Sequence, residues 1–348
     1  MLKKVLIGFG KFFTVVLLTV LMLLLLILGA CAVLAYGPST VWQQRFVATF
    51  DETSALKFVP RIYFSEDEVQ SILHPTLPAS QEPIVDNFVE LAYEDGSQGS
   101  QGAIVVVPPE EGDEWLEIVD IKGSTFKGKM MMIHDPSKVI VGTLDAYGAD
   151  YEGMYLYDFI DKYNAIGGTN AGGFYDPGGY GNGGTPDGLV IRNGDIAWGS
   201  PGSHYVNVIG FDADNILHVG DMTGQQALDL HLTSAVSFSP GPVLVKDGKM
   251  NTGLGGGMNP RTCIGQTDDG TIILIVLEGR KPDSLGATYD DLAQLMFNYG
   301  AVNAANLDGG SSSLMYYNGE QITRGSNIIG MRKLATAILV LDGETKDG

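Results

Sequence analysis

Residues 271–299 read TIILIVLEGRKPDSLGATYDDLAQLMFNY. Thr271 to Leu277 is an unbroken apolar, β-branched run of strand length. The helix that follows, Thr288 to Tyr299, carries its own start signal. Thr288 caps it and Asp291 completes a T-x-x-D box, while Leu292, Leu295, Met296 and Tyr299 fall at i, i+3, i+4 and i+7. The rest of the chain does not repeat this strand–helix alternation. Strand-like segments gather at Ala103–Val107, Trp115–Ile121, Lys138–Leu144, Leu189–Arg192, Tyr205–Ile209, Ile216–Val219, Val243–Val245 and Ala335–Leu341. Leu314–Tyr317, the Asn318-Gly319 turn and Gln321–Ile322 read as a hairpin. Beyond the apolar N-terminal stretch, Tyr151–Asn164 and Ser65–Leu73 are the other segments that read as helices. Strands outnumber helices without alternating with them, which predicts an α+β fold: a mixed, mostly antiparallel sheet core, a few helices and long Gly-rich loops.

The charge is uneven along the chain. Of 348 residues, 21 are Lys or Arg and 41 Asp or Glu, a net charge of −20. The first 50 residues hold Lys3, Lys4, Lys11 and Arg45 and no acid, which leaves 17 basic and 41 acidic residues beyond them, a net of −24. So acidic a surface argues against binding a nucleic-acid backbone. From Phe12 to Tyr36 no residue is charged, and these 25 residues suffice to cross a bilayer as a helix. The three lysines before them predict a single-pass protein with a cytoplasmic N-terminus and an extracellular domain. Two other readings compete with a permanent anchor: a long cleavable signal peptide, and a lipoprotein signal in which Leu28-Gly29-Ala30 precede an acylated Cys31. The chain then divides into a cytoplasmic tip (1–11), a transmembrane anchor (12–36), a stalk and lead-in segment (37–102), the main domain (103–342) and a tail (343–348), with Ser97–Gly102 as the boundary turn. Two cysteines, Cys31 and Cys263, are too few for a disulfide framework, and low Cys usage outside the cytoplasm suits a bacterial surface protein.

The 47 glycines are concentrated: 13 of them lie between Gly167 and Gly202, interleaved with Asn170, Phe174, Tyr175, Tyr180 and Trp198. Aromatic rings among glycines suit a shaped sugar-binding cleft and equally an ordinary Ω-loop. The five histidines are scattered without metal-ligand spacing, so no metal site and no cofactor is expected. H-E-x-x-H, Walker A and G-x-S-x-G strings are absent.

Three segments stand in order: Gly168-Thr169-Asn170-Ala171-Gly172-Gly173-Phe174-Tyr175, Asn259-Pro260-Arg261-Thr262, and Asn306-Leu307-Asp308-Gly309-Gly310-Ser311-Ser312, with Glu278-Gly279-Arg280 between the last two. Together they resemble the phosphodiester glycosidase family, over about Ile118 to Leu341. The resemblance implies hydrolysis of a sugar-1-phosphodiester between the anomeric carbon and the phosphate oxygen, with a glycan or sugar-phosphate as substrate. The residues suit that chemistry. An oxocarbenium-like transition state requires a nearby carboxylate, for which Asp308 and Glu278 are the candidates. Arg261 and Arg280 are the guanidinium groups to neutralise the leaving phosphate. Gly309, Gly310 and Ser311 offer backbone N–H groups to an anion. Asn170 is the candidate to bond a sugar hydroxyl or acetamido group, and Gly172, Gly173, Phe174 and Asn306 complete the expected substrate-binding set. Two alternatives stay open: a non-catalytic glycan-binding protein that assists exopolysaccharide assembly, and a hydrolase of ordinary glycosidic bonds.

Overall fold

The computed structural model describes residues 2–53, 56–73, 91–93, 104–107, 115–326 and 330–342. The Ser97–Gly102 turn and the 343–348 tail lie outside the described residues. The chain forms two compact units, Met1–Leu77 and Pro78–Gly348.

The first unit is helical. Helix α1 (Leu2–Tyr36) contains the apolar stretch Lys11–Tyr36, long and apolar enough to cross a membrane. Part of the segment expected as a stalk is folded. Helices α2 (Thr40–Asp51) and α3 (Glu66–Leu73) gather Phe46, Val47, Phe64 and Val69 around Cys31 and Ala35 of α1. Ser65 and Glu68 form the capping pair read from the sequence: the Ser65 N–H donates to Glu68 Oε2 at 2.7 Å, and the Glu68 N–H donates to Ser65 Oγ at 3.4 Å.

The second unit is α+β. Its elements are β1 (Leu91–Tyr93), β2 (Ile104–Val107), β3 (Leu116–Lys122), β4 (Lys127–Ile133), β5 (Val139–Thr143), α4 (Leu156–Tyr163), β6 (Ala165–Asn170), β7 (Val190–Arg192), β8 (Asp195–Trp198), β9 (His204–Phe211) and β10 (Leu217–Thr223). They continue with α5 (Gly224–Asp229), β11 (Ser234–Ser237), β12 (Val243–Lys246), β13 (Lys249–Met250), β14 (Arg261–Thr267), β15 (Ile272–Leu277), α6 (Tyr289–Asn298), β16 (Ala301–Asn306), β17 (Met315–Tyr317), β18 (Glu320–Gln321) and β19 (Thr336–Leu341). Among the described residues these strands make a large sheet in the order β1-β2-β3-β4-β15-β14-β16-β12-β13, and two smaller ones, β10-β9-β11-β7-β8 and β18-β17-β6-β19-β5. The β1–β2 pair is parallel; the large sheet's other ladders, such as β14–β15 and β14–β16, are antiparallel.

Strand β15 explains the layering. Successive side chains point to opposite faces of a sheet, and both faces of β15 are buried. Ile273, Ile275 and Leu277 pack under α6 with Leu292, Leu295 and Met296. Ile272, Leu274 and Val276 pack on the other side, against Val139, Val141, Ile338 and Val340 of one small sheet and Ile209 and Val219 of the other. Helix α4 covers the far face of the first small sheet through Phe159 against Leu339, and α5 covers that of the second through Ala227. The α6 cap is formed as read, with Thr288 Oγ1 accepting from the Asp291 N–H at 3.2 Å and Asp291 Oδ2 accepting from the Thr288 N–H at 2.7 Å. The helix expected from Tyr151 begins only at Leu156, because Met154 is drawn into a β-bridge with Leu334.

Glycine has a specific task in β6. Gly168 adopts φ +155°, and a Cβ there would stand 2.3 Å from the Ile338 carbonyl oxygen of β19. The neighbouring strand's backbone occupies the space of a side chain. Gly168→Ala is therefore expected to destabilise the domain by about 2–4 kcal/mol, as steric strain in a closed core. A urea midpoint within error of wild type would refute this.

Candidate functional site

The three segments singled out in the sequence converge on one side-chain amide. Asn170, the last residue of β6, is fully buried. Its Nδ2 donates to the Asp308 carbonyl oxygen at 2.5 Å, and its Oδ1 accepts from Thr262 Oγ1 at 2.9 Å and from the Leu314 N–H at 3.3 Å. The Asp308 N–H in turn donates to Ala171 O at 2.9 Å, and the Leu307 N–H to Thr262 O at 2.8 Å. The segments around 170, 262 and 308 are thus bound to each other, with Asp308 at the junction. The Asn170 amide is engaged inside the protein at both ends, so its role is to hold the Asp308 loop.

Asp308 stands just past the end of β16. Its Oδ1 accepts from the Gly309 N–H at 2.8 Å, and Ser312 adds a side-chain hydrogen bond. Loss of hydration is the largest influence on the carboxyl and raises its pKa to about 6. The hydrogen bonds from Ser312 and Gly309 and the charge of Arg332 act downward, and Asp176 acts upward, without offsetting that loss.

Arg332 and Asp176 were not found in the sequence. The Arg332 guanidinium pairs with Asp176 Oδ1 at 2.7 Å, donates to Gly181 O at 3.1 Å, and lies 5.2 Å from the centre of the Phe174 ring. No motif surrounds Arg332 and its partner is 156 positions away, so no local signal pointed to it. Asp187 also joins this region: its N–H donates to Gly173 O at 2.9 Å, and burial raises its carboxyl pKa. Gly172 and Gly173 are packed by close neighbours. The Gly172 N–H donates to Thr336 Oγ1 at 3.0 Å, and a Cβ at Gly173 would stand 2.8 Å from the Phe238 ring. Tyr175 and Tyr180, on either side of Asp176, are 66% and 79% exposed, so their rings are open to a ligand.

The other expected site residues divide. Arg280 is exposed and bonds Asn259 Oδ1 at 3.1 Å, and a Cβ at Gly310 would stand 3.4 Å from its Nη2, so its guanidinium lies against the Gly309-Gly310 turn. Arg261 is turned elsewhere. Thr262 faces Asn170, so strand alternation sends Arg261 to the α6 side. There its guanidinium is buried 3.8 Å from the Tyr289 ring centre and donates to Gly257 O at 2.7 Å and Ala287 O at 3.1 Å. Glu278 is also engaged: its Oε1 accepts from the Arg324 N–H at 2.8 Å and its Oε2 from Arg324 Nε at 2.6 Å. The buried Asn306 side chain donates to Leu307 O at 2.5 Å. The Gly309 N–H is directed to Asp308 and the Gly310 N–H to Pro260 O at 2.9 Å, so these two donors serve the turn itself. Ser311 lies in the short 3₁₀ turn Gly310–Ser312. Among the described residues, no group of three or more His, Cys, Asp or Glu side chains is placed to hold a metal ion.

Comparison with known proteins matches this architecture. The chain is 40% identical over 92 residues to the SPbeta prophage-derived uncharacterized protein YomE of Bacillus subtilis (strain 168); the match covers 25% of this chain and 14% of that protein. Among solved structures, the zebrafish N-acetylglucosamine-1-phosphodiester alpha-N-acetylglucosaminidase catalytic domain, auto-inhibited by its pro-peptide, has the same fold. Its TM-score is 0.54 at 18% identity, covering 70% of this chain and 89% of that one. A putative exported protein from Burkholderia pseudomallei K96243 matches with TM-score 0.47 at 16% identity, over 64% of this chain and 77% of its own. The family model for phosphodiester glycosidase matches residues 163–341, half of the chain and the part that holds Asn170, Asp308 and Arg332. The chain belongs to the phosphodiester glycosidase family.

Proposed function

We propose that the chain is a membrane-anchored extracellular hydrolase that cleaves a sugar-1-phosphodiester bond in a cell-surface or exported polysaccharide, such as a teichoic-acid-like or capsular polymer. The observation that carries this reading is Asp308: a residue whose backbone is bonded to Asn170 and Ala171, whose carboxyl is raised to about 6, and on which the charge of Arg332 acts, with Arg280 against the adjoining Gly310. In the proposed reaction water adds to the anomeric carbon while its bond to the phosphate oxygen breaks. Ionised Asp308 takes the proton of that water, the sugar leaves as the free hemiacetal, and the other product is a phosphate monoester. That leaving group is already good, so the cations matter more than a proton donor. Arg280 and Arg332 take this part, while Arg261 acts by fixing the α6 side of β14. Phe174, Tyr175 and Tyr180 offer faces on which sugar rings stack.

The reading is tested by incubating the full chain in detergent with a panel of sugar-1-phospho-alkyl diesters, GlcNAc among them, and assaying free sugar. Sugar release from at least one diester is expected, and Asp308→Asn is expected to lower it by 10³-fold or more. Folded protein that cleaves none of the panel would overturn the reading. Activity should rise with pH through about 6, because the base must be ionised. A rate that falls across that range would assign Asp308 the role of acid instead. Tyr180→Ala is expected to raise KM several-fold with little change in kcat.

The raised Asp187 carboxyl favours one second reading, hydrolysis of an ordinary glycosidic bond by a carboxyl pair. Release of sugar from a phosphate-free glycoside, with the diesters untouched, would select it.

Asp308 also makes a stability prediction that does not depend on substrate. Its folded pKa lies above the usual 3.8, so its ionisation disfavours the folded state as pH rises from about 4 through 6 and beyond. Asp308→Asn is expected to be more stable than wild type at pH 7.5, by about 1–3 kcal/mol. The difference should vanish near pH 4. Denaturant melts at the two pH values check this, and an Asp308→Asn protein less stable at pH 7.5 would refute it.

A further inference from the structure

We infer that the helical segment 40–73 is an interfacial collar that seats in the outer face of the bilayer beside α1, with Leu56, Phe58 and Ile62 as its lipid-contacting side chains. The inference rests on the reading of α1 as a membrane span.

It follows from where this segment attaches along α1. Counting from Phe12, a hydrocarbon core of about 30 Å takes roughly 20 helical residues and ends near Cys31. The headgroup layer beyond adds roughly 5–7 Å, which the helix crosses by about Tyr36. The collar grips this stretch. Tyr63 Oη donates to Leu28 O at 2.8 Å, Tyr36 Oη donates to Tyr63 O at 2.5 Å, and Gln43 Nε2 donates to Ala35 O at 2.7 Å. Cys31 and Ala35 pack into the collar's own core with Phe46, Phe50 and Tyr63. A segment bonded to Leu28 and Ala35 is therefore level with the boundary between acyl chains and headgroups.

The segment that reaches deepest, the one leading into Tyr63, turns apolar side chains outward, as Val41 and Trp42 also do at the start of α2. Leu56 is 39% exposed, Phe58 60% and Ile62 53%. In water these are exposed large apolar side chains, whereas at the hydrocarbon boundary they are placed where apolar and aromatic residues are favoured. Of the charged neighbours, Arg61 is paired with Asp51 at 2.8 Å and Glu66 at 2.6 Å, and the exposed Lys57, between Leu56 and Phe58, has a stem long enough to carry its ammonium to the headgroups. Residues 40–73 hold Arg45, Lys57 and Arg61 against Asp51, Glu52, Glu66, Asp67 and Glu68. With more acids than bases, the segment has no net attraction to anionic lipid, so apolar contact with the bilayer edge, and not headgroup charge, is what seats it.

The test is spin-label accessibility in the full chain, reconstituted into neutral phosphatidylcholine vesicles. Cys31→Ala removes the partly accessible thiol, and Cys263 is buried and unlabelled. Labels are placed at Phe58→Cys, at Ile62→Cys and, as a water-exposed reference, at Asp195→Cys, with circular dichroism checking that each variant keeps its helix content. Alkaline carbonate extraction is run on the same vesicles. The expected result is a chain that resists extraction, with labels at 58 and 62 relaxed several-fold more by oxygen than by a water-soluble nickel chelate and the order reversed at 195. If the chain resists extraction but 58 and 62 are as open to nickel as 195, the collar is overturned and the span stands. If carbonate removes the chain, the span reading fails and the collar falls with it.

Discussion

The Asn170 amide is the constraint on which the site depends. A buried amide left without partners costs several kcal/mol, so it fixes whatever can satisfy it. Here it bonds at once to the Asp308 carbonyl, the Thr262 hydroxyl and the Leu314 N–H. Thr262 lies in β14, and Asp308 and Leu314 lie at the two ends of the connection from β16 to β17, which belong to different sheets. Asn170 can end β6 in this position only because Gly167 and Gly168 let β17 and β19 close on β6 from both sides. The glycines, the amide and the Asp308 loop therefore form one device, in which backbone closeness places a side chain and the side chain places a carboxylate.

That device explains what was legible in the sequence. The strands that could be read, among them β3, β5, β7, β9, β10, β12, β15 and β19, have an apolar face or run. The Thr288 cap of α6, the Ser65–Glu68 pair of α3 and the Asn318-Gly319 turn were also readable, because their signals lie within a few residues of one another. The strands that escaped include β4, β8 and β11, and also the three that build the site, β6, β14 and β16. Their sequences AIGGTN, RTCIGQT and AVNAAN mix glycine, alanine and buried amides. Local propensity gives way there to close packing and to hydrogen bonds with distant residues. The resemblance to a family identified these segments by their letters, but not as strands.

The same distinction applies to the cations. Arg261 and Arg280 both neighbour conspicuous motifs, yet strand alternation turns Arg261 toward Tyr289 while Arg280 stays by Gly310. Which face of β14 an arginine occupies depends on register, and register became visible only once Cys263 and Tyr289 were seen in one core and Ile264 in the other. Glu278 likewise ends a strand, as a catalytic carboxylate often does, but Arg324, 46 residues later, takes both its oxygens. Arg332 reaches the Asp308 region from the segment before β19, a link that belongs to tertiary structure alone.

A chain with a net charge of −24 beyond its first 50 residues must oppose its own field locally if it is to hold a phosphodiester. Arg332 is suited to this by being already paired. Its bond to Asp176 and its position over Phe174 hold the guanidinium in place before any anion arrives, so binding need not immobilise a free side chain. The pairing also limits how strongly Arg332 acts on Asp308. Loss of hydration dominates over the Ser312 and Gly309 hydrogen bonds, while Arg332 and Asp176 act more weakly and in opposite directions, and the Asp308 carboxyl stays near 6. A stronger, unpaired cation would attract phosphate better, but it would hold Asp308 as a weaker base. On the proposed reaction, the Arg332–Asp176 pair is the compromise that lets one site bind an anion and still withdraw a proton from water.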